Sequence, residues 1–326
     1  MTPQAVEGLA VTVIVVLGLL FGSFLNVVIA RVPADESIVH PRSRCPKCGH
    51  QLAWYENIPV LSWLALRGRC SSCGQSISWR YPLIELLTAL LFLACQRRFG
   101  WTPELVAALV MVLLLVPLSF IDLEHWILPH QLTWPGIAAG VVLSAPMGLD
   151  RVRDSIIGAV AGFLVFWFME WLGEKIFKKE ALGAGDKDLL ALIGAFLTWK
   201  SLLAVIFLSS LQGAVVGSLL LLFRGRAGPA PEPESESATT PPPSAPGTET
   251  ASAGEPGPAP EQVGAPSAGN REEEEDEDEE DDWEPGPTSI PFGPWLSVAA
   301  LEVMLLGPWL REVLPVPLDL LLAGAP

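Results

Sequence analysis

The chain is broken into runs of uncharged apolar residues that are too long and too frequent for a water-soluble core. Six of them cover residues 8–30, 105–121, 132–149, 155–169, 202–223 and 290–301. Three shorter or singly acidic runs repeat the pattern: 82–94 with Glu85, 189–199, and 313–323 with Asp319. A helix rises about 1.5 Å per residue and the hydrocarbon layer is about 30 Å thick, so a spanning helix needs roughly 20 apolar residues. Several runs reach that length. Inside lipid every backbone N–H and C=O must find a partner within its own segment, which makes helices the natural spanning form for such runs. The expected fold is an all-α polytopic membrane protein with about eight transmembrane helices. The opening "MTPQAVEG" carries no basic residues and no small-residue cleavage site follows it, so 8–30 is expected to remain as the first span rather than to be removed as a signal.

The net charge of −16 belongs to one segment. Residues 227–288 hold 18 of the 36 acids but only one base, Arg271, so the rest of the chain has 18 acids against 19 bases. That segment is rich in Pro, Ser, Gly and Glu and ends in "REEEEDEDEEDDWEPGP". It has too little apolar surface to offset the entropy of ordering, and it reads as a disordered linker. The bases set the orientation. With the N-terminus outside and alternating spans, 14 of the 20 bases fall on the inner side, among them Arg31, Arg42, Arg44, Lys47, Arg67, Arg69 and Arg80 in the loop 31–81. This is the bias expected of a cytoplasmic face. No nucleic-acid partner is expected; the bilayer itself is one.

That inner loop contains "CPKCGHQLAWYENIPVLSWLALRGRCSSCG". Cys45-x2-Cys48 and Cys70-x2-Cys73 are separated by 21 residues, and a glycine follows each pair. Two such knuckles supply the four thiolates of a closed tetrahedral zinc site, one that shapes the loop and performs no chemistry. Disulfides and a thiol-redox pair are the alternatives. The reducing side of the membrane disfavours the first, and the presence of two knuckles disfavours the second. Cys95 lies within a span and is expected to pack.

Acids gather at two span ends. Asp122 closes the 105–121 run in "FIDLEHWILPHQLTWPG", and Asp186 opens the 189–199 run in "GAGDKDLLALIGAF". In the topology above both lie at the inner face. An acid beside hydrocarbon is expensive and usually functional. Two carboxyls at one depth can share a proton, one activating water while the other protonates a leaving group. The bland reading is that Asp186 merely caps its helix after Gly183 and Gly185. Glu124, His125 and His130 read as interfacial residues, and Lys187 and Asp188 as helix caps or a mutual pair.

Taken in order, "FGSFLNVVIARVP", the four-cysteine loop running on into "QSISWRYPLIELLTA", "FIDLEHWILPHQLTWPG" and "GAGDKDLLALIGAF" resemble the blocks of the bacterial type IV prepilin peptidases. The resemblance covers about residues 18–200. It implies a bifunctional enzyme of the bacterial inner membrane. Such an enzyme cleaves the basic leader of prepilins and pseudopilins at the cytoplasmic face, then N-methylates the new N-terminal residue with S-adenosylmethionine. Asp122 and Asp186 stand at the family's catalytic aspartates, and Cys45, Cys48, Cys70 and Cys73 at its metal-binding cysteines. No G-x-G-x-x-G loop is present, so S-adenosylmethionine is not expected in a Rossmann-type domain. Asn26, Glu56, Asn57 and Glu85 are the candidates for holding it, with helix-end hydrogen bonding as the competing reading. The chain departs from the family pattern twice. The family usually has an acid where His130 stands, and a lysine where Asp188 stands, Lys187 coming one position early.

The organisation expected is therefore a first helix (1–30), a cytoplasmic zinc-binding and methyltransferase loop (31–81), a transmembrane peptidase core (82–226), the acidic linker (227–288) and one or more C-terminal spans (289–326).

Overall fold

The rows of exposed side chains on the long helices define the environment of this molecule. In the computed structural model, Leu203, Phe207, Leu211, Val215 and Leu219 are all exposed at four-residue intervals. Such a stripe follows one face of a helix and would be an aggregation surface in water. Against hydrocarbon it is neutral. Ile156, Val160, Phe163, Leu164 and Trp167 form a comparable surface on another helix.

The structure describes residues 2–177, 183, 185–224 and 291–313. The expected acidic linker, 227–288, and the run 313–323 beyond its first residue lie outside the described residues. In chain order the helices are α1 (Pro3–Arg31), α2 (Leu61–Ala65), α3 (Arg80–Phe99), α4 (Pro103–His125), α5 (His130–Ser144), α6 (Leu149–Phe177), α7 (Asp186–Leu197), α8 (Trp199–Arg224) and α9 (Gly293–Val313). The all-helical fold is as expected for the described residues. Among the described residues four segments are long and apolar enough to cross a membrane: Gln4–Ala34, Pro103–His125, Leu149–Gly173 and Trp199–Leu220.

Local chemistry sets the helix ends. Thr2 caps α1 by accepting the Ala5 N–H, and Pro3 occupies a first-turn position where its missing N–H does no harm. Pro103 does the same for α4. The run 132–149, read as one span from sequence, is two elements in the structure. A short 3-10 turn at Ala145–Met147 and Gly148, at φ 108°, end α5 and start α6. The 290–301 run likewise belongs to a longer helix, since α9 continues through Pro308 to Val313.

α7 is the interior element. At 12 residues it is about 18 Å long, shorter than the hydrocarbon thickness. Every residue from Asp186 to Leu197 except Lys187 is buried. It packs against α5, α6, α8 and α9, most extensively against α6. The α6 contact is backbone to backbone: a Cβ at Gly158 would lie 2.2 Å from the Gly194 carbonyl oxygen, and one at Gly194 would lie 2.1 Å from that of Gly158. Small residues permit this approach where lipid supplies no hydrophobic drive between helices. The described helices belong to one compact unit, and its core runs from Ile84 and Phe92 on α3 through Met111, Leu115 and Leu118 to Leu189–Ile193 and Leu296–Val303.

Candidate active site and metal centre

Asp122 sits in the last turn of α4, which stops at Trp126 in a left-handed conformation with the Trp126 N–H on the Asp122 carbonyl. Asp186 is the first residue of α7, and the helix N-cap is Gly185. The capping role considered for Asp186 therefore falls to a glycine with no side chain to offer. Both aspartates are buried, at 6% and 5% exposure, and Asp186 lies within electrostatic reach of the Asp122 carboxyl. Two buried acids facing each other at adjacent helix ends can hold one proton between them, the state from which a carboxyl pair can act as base and acid at once.

The surroundings fix this pair from three directions. Gly185 passes so close to the α4–α5 connection that a Cβ there would lie 2.6 Å from Leu128 Cβ. The Gly293 N–H, at the start of α9, donates to Asp122 Oδ2 at 3.0 Å, and a Cβ on Gly293 would lie 2.5 Å from that oxygen. Glu170 of α6 lies within electrostatic reach of Asp186.

The polar neighbours pair across elements. Lys187 Nζ meets Glu170 at 2.8 Å, not Asp188, and Glu124 pairs with Arg80 at the start of α3. His130 Nδ1 lies 3.0 Å from Asp188 Oδ2. The two positions at which the chain departs from the pattern it resembles, His130 and Asp188, thus touch each other. Sequence reading did not find Gly293, Glu170 or the His130–Asp188 contact. Gly293 has only the flanking "PFGPW" to mark it, and the other two have partners 16 and 58 positions away.

The four cysteines come together in the loop. Each knuckle is built the same way. The Cys45 N–H donates to the His50 carbonyl and the Gly49 N–H to that of Cys45; Cys70, Gln75 and Gly74 repeat both bonds. Gly49 and Gly74 have φ of 70° and 69°, a conformation that suits glycine. The four sulfurs lie within 4.8 Å of one another, with Cys45–Cys73 at 3.9 Å and Cys48–Cys70 at 4.0 Å. A tetrahedron with Zn–S of about 2.3 Å has an edge of about 3.8 Å, so the donor set fits a tetrahedral metal. The electrostatics agree. The backbone amides of Cys48 and then Lys47 bring the Cys45 thiol down to about 6. At Cys73 the Gln75 amide pulls downward, but the Cys48 thiol, burial, and the thiols of Cys70 and Cys45 together push the group up to about 11. One thiolate forms readily and resists a second, as expected of sulfurs spaced for a shared cation. His50 and Glu56 buttress the two knuckles: Glu56 accepts the Ala53 N–H at 2.8 Å and lies 3.3 Å from His50 Nε2, which is itself 3.5 Å from Ser71. Cys95 is fully buried on α3, away from this cluster.

Beside the cysteines opens a cavity of about 920 Å³, lined by residues of α1, the loop and α3. Asn26, Glu56, Asn57 and Glu85 all line it. Asn26 Nδ2 donates to the Gly22 and Tyr81 carbonyls at 3.2 Å, and Glu85 Oε2 accepts the Val60 N–H at 2.7 Å. Asp122 and Asp186 are not among its walls. The described residues therefore hold two separate polar centres, and the Arg80–Glu124 ion pair ties the start of α3 to the end of α4.

Comparison with known proteins agrees with this division. Residues 16–99 match the Bacterial Peptidase A24 N-terminal domain, and residues 109–218 match the Type IV leader peptidase family. A Myxococcus xanthus protein named prepilin leader peptidase/N-methyltransferase is 56% identical over 95% of this chain and 94% of its own length. Proteins of the same name from Aeromonas hydrophila and Pseudomonas aeruginosa are 42% and 39% identical, over 63% and 64% of this chain and 79% and 80% of their own lengths. No solved structure matches. With the acid pair, the cysteine cluster and full-length similarity in agreement, the chain belongs to the type IV leader peptidase family.

Proposed function

We propose that the protein cleaves the basic leader of type IV prepilins and pseudopilins with Asp122 and Asp186, then methylates the new N-terminal amine with S-adenosylmethionine in the cavity beside the cysteine cluster. The observation that supports the first half most directly is the burial of the two carboxyls within reach of each other at the ends of α4 and α7. One carboxylate takes a proton from water as the water oxygen attacks the scissile carbonyl carbon. The other, protonated, gives its proton to the amine nitrogen as the C–N bond breaks. The pair ends with one proton, as it began. The names carried by the relatives support both halves.

The bases of the loop 31–81 and of residues 175–187 support a cytoplasmic location for this site in the bacterial inner membrane. A leader rich in bases would meet an acidic site there, while the apolar stretch after the scissile bond stays in the bilayer. We count α3, α5, α7 and α9 with the four long helices as eight transmembrane elements. We divide the chain into the functional units 1–30, 31–81, 82–226, 227–288 and 289–326.

Cys45, Cys48, Cys70 and Cys73 hold a structural zinc ion. All four positions are filled by thiolate, so the metal organises the loop and no water is activated on it. The cavity is within the usual size of small-molecule sites, and its acids Glu56 and Glu85 suit a cationic ligand. Asn26, Glu56, Asn57 and Glu85 are the residues we assign to it. S-adenosylmethionine, when bound, supplies the methyl group; the chain's part is to orient the acceptor amine and exclude competing groups.

Purified protein incubated with a prepilin tests the reading. Asp122→Asn and Asp186→Asn should each abolish cleavage while leaving helix content intact, and normal cleavage by either variant removes the dyad. With S-adenosylmethionine present, the cleaved pilin should gain the mass of one methylene. Cleavage without that gain leaves a peptidase alone. No cleavage by the parent protein leaves a zinc-loop scaffold of a pilus or secretion apparatus.

A further inference from the structure

The cavity beside the cysteine cluster is not uniform. Of the acids lining it, Glu36 is exposed, and Glu56 is committed to the Ala53 amide and His50. Glu85 differs from both. It is 7% exposed, rises from α3 where α1 packs close against it, and has one oxygen held by the Val60 amide. The approach is tight: a Cβ at Gly22 would lie 2.6 Å from Glu85 Cα. Four positions after Gly22, Asn26 is 4% exposed, with its NH₂ spent on two carbonyls and its Oδ1 buried without a hydrogen-bond partner. A buried amide oxygen left unpaired has given up its water without a replacement. Both residues line the same cavity. What they have in common is acceptor capacity: a carboxylate and an orphan carbonyl, with no cationic side chain paired to either.

We propose that Glu85 and Asn26 Oδ1 form the receptor for the N-terminal ammonium of the cleaved pilin, and that Glu85 takes its proton. An ammonium brings three N–H donors and one positive charge, which matches one carboxylate and one unpaired carbonyl. The step is a simple transfer. An N–H bond breaks, its electron pair stays on nitrogen, and an O–H bond forms on Glu85. The neutral amine is the form able to accept a methyl group, so this subsite prepares the second reaction while Asp122 and Asp186 remain apart from it. The other charged groups on the cavity wall are Arg31, Glu36, Arg44 and Glu56, with His50, Tyr81 and the thiols of Cys45 and Cys70 also titratable. Arg31 is turned toward the Ser37 and Pro41 carbonyls. Glu85's own contacts are the Val60 amide and the Ser23 hydroxyl.

This inference rests on the methyl-transfer reading for the choice of ligand, but it can be tested without catalysis. Full-length protein in lipid nanodiscs is titrated, with no S-adenosylmethionine present, with a peptide beginning in phenylalanine and with the same peptide N-acetylated. The parent protein should bind the free amine at least tenfold more tightly. Glu85→Gln should bring the two affinities together, and Asn26→Leu should narrow the gap severalfold. The Asn26 variant decides the matter should Glu85→Gln fail to fold. A parent protein indifferent to acetylation overturns the proposal. So does a preference that keeps its parent size in either variant. Failure of the parent to methylate cleaved pilin despite preferring the free amine defeats the methyl-transfer reading and leaves the subsite standing.

Discussion

The Gly293 amide hydrogen-bonds Asp122 Oδ2 across 171 positions of sequence. The start of α9, which follows the acidic segment, thereby reaches the end of α4 and touches one of the two acids directly. A charge-assisted bond of this kind contributes about 1.5–3 kcal/mol. Gly293→Ala keeps the N–H but introduces a Cβ that would sit 2.5 Å from the carboxyl oxygen. We expect it to reduce prepilin cleavage at least tenfold while helix content stays at the parent level. Circular dichroism alongside a timed cleavage assay checks this, and a fully active Gly293→Ala would mean that the α9 contact is incidental to the reaction.

The contact between His130 and Asp188 predicts a reciprocal effect. The His130 side chain is 65% exposed, so solvent screens the pair and its contribution is about 1 kcal/mol or less. Replacing His130 with Asp turns it into a carboxylate facing the buried Asp188, a like-charge contact at the first turn of α7. His130→Asp should lower the thermal midpoint and slow cleavage, and adding Asp188→Lys should restore both. Thermal melts of the two single variants and the double decide it; a double variant no better than the worse single one would rule out the pairing.

Much of this architecture is legible because lipid imposes one simple pattern. Long uncharged runs become helices, and an acid at the end of such a run stands out, which is how Asp122 and Asp186 could be found. The cysteine knuckles are legible for a similar reason: spacing alone puts two sulfurs on one turn. The failures have physical causes too. The run 132–149 carries no charge to mark its break, and only the backbone at Gly148 and the preceding 3-10 turn divide it. Gly293 acts through its N–H and its lack of a side chain, properties shared by every glycine in the chain. The ion pairs Lys187–Glu170 and Arg80–Glu124 depend on which helix ends meet, and apolar periodicity does not encode that.

Glu56 offers a pH-dependent test of the loop. The Ser71 hydroxyl, then the Ala53 amide, and in addition His50 hold its carboxyl below the usual range, against a smaller opposing effect of burial. A carboxylate lowered in the folded state stabilises above its unfolded value of about 4.3, and loses that contribution as pH falls through the lowered folded value. Glu56→Gln should therefore loosen residues 45–76 at neutral pH, and the difference from the parent should shrink below about pH 4. Hydrogen exchange of loop peptides across that range measures it. A difference between parent and variant that is constant with pH would mean that the Glu56 charge is not what holds the loop.

Removal of metal should act on one centre before the other. Replacing Cys48 with Ser leaves three thiolates and an open position, and zinc content measured by elemental analysis should fall from one ion per chain. The cavity shares Cys45 and Cys70 with the metal cluster, whereas the Asp122–Asp186 pair is held by α4, α7 and α9. S-adenosylmethionine binding should accordingly weaken more than prepilin cleavage does. Equal losses in both would mean that the loop and the helical bundle depend on each other more closely than the contacts between them suggest.

Among the described glycines the closest approach lies away from both centres, where α6 crosses α7 at Gly158 and Gly194. A methyl group on Gly194 would lie 2.1 Å from the Gly158 carbonyl oxygen, well inside van der Waals contact, and the obstacle is backbone, which has no rotamer by which to retreat. Gly194→Ala must push the two helices apart. Overpacking of this sort costs about 1–3 kcal/mol, and α7 transmits the displacement because it is rigid, short and buried along its length. Its other end is Asp186. We therefore expect Gly194→Ala to lower both the thermal midpoint and the rate of leader cleavage, although the substituted residue touches neither aspartate. Gly8→Ala is the control, with nothing within 4 Å of the added methyl and a small gain in helix propensity. If Gly194→Ala melts and cleaves like Gly8→Ala, then α7 is not the rigid mount for Asp186, and the carboxyl must be positioned by its immediate neighbours at Gly185 and Leu128 instead.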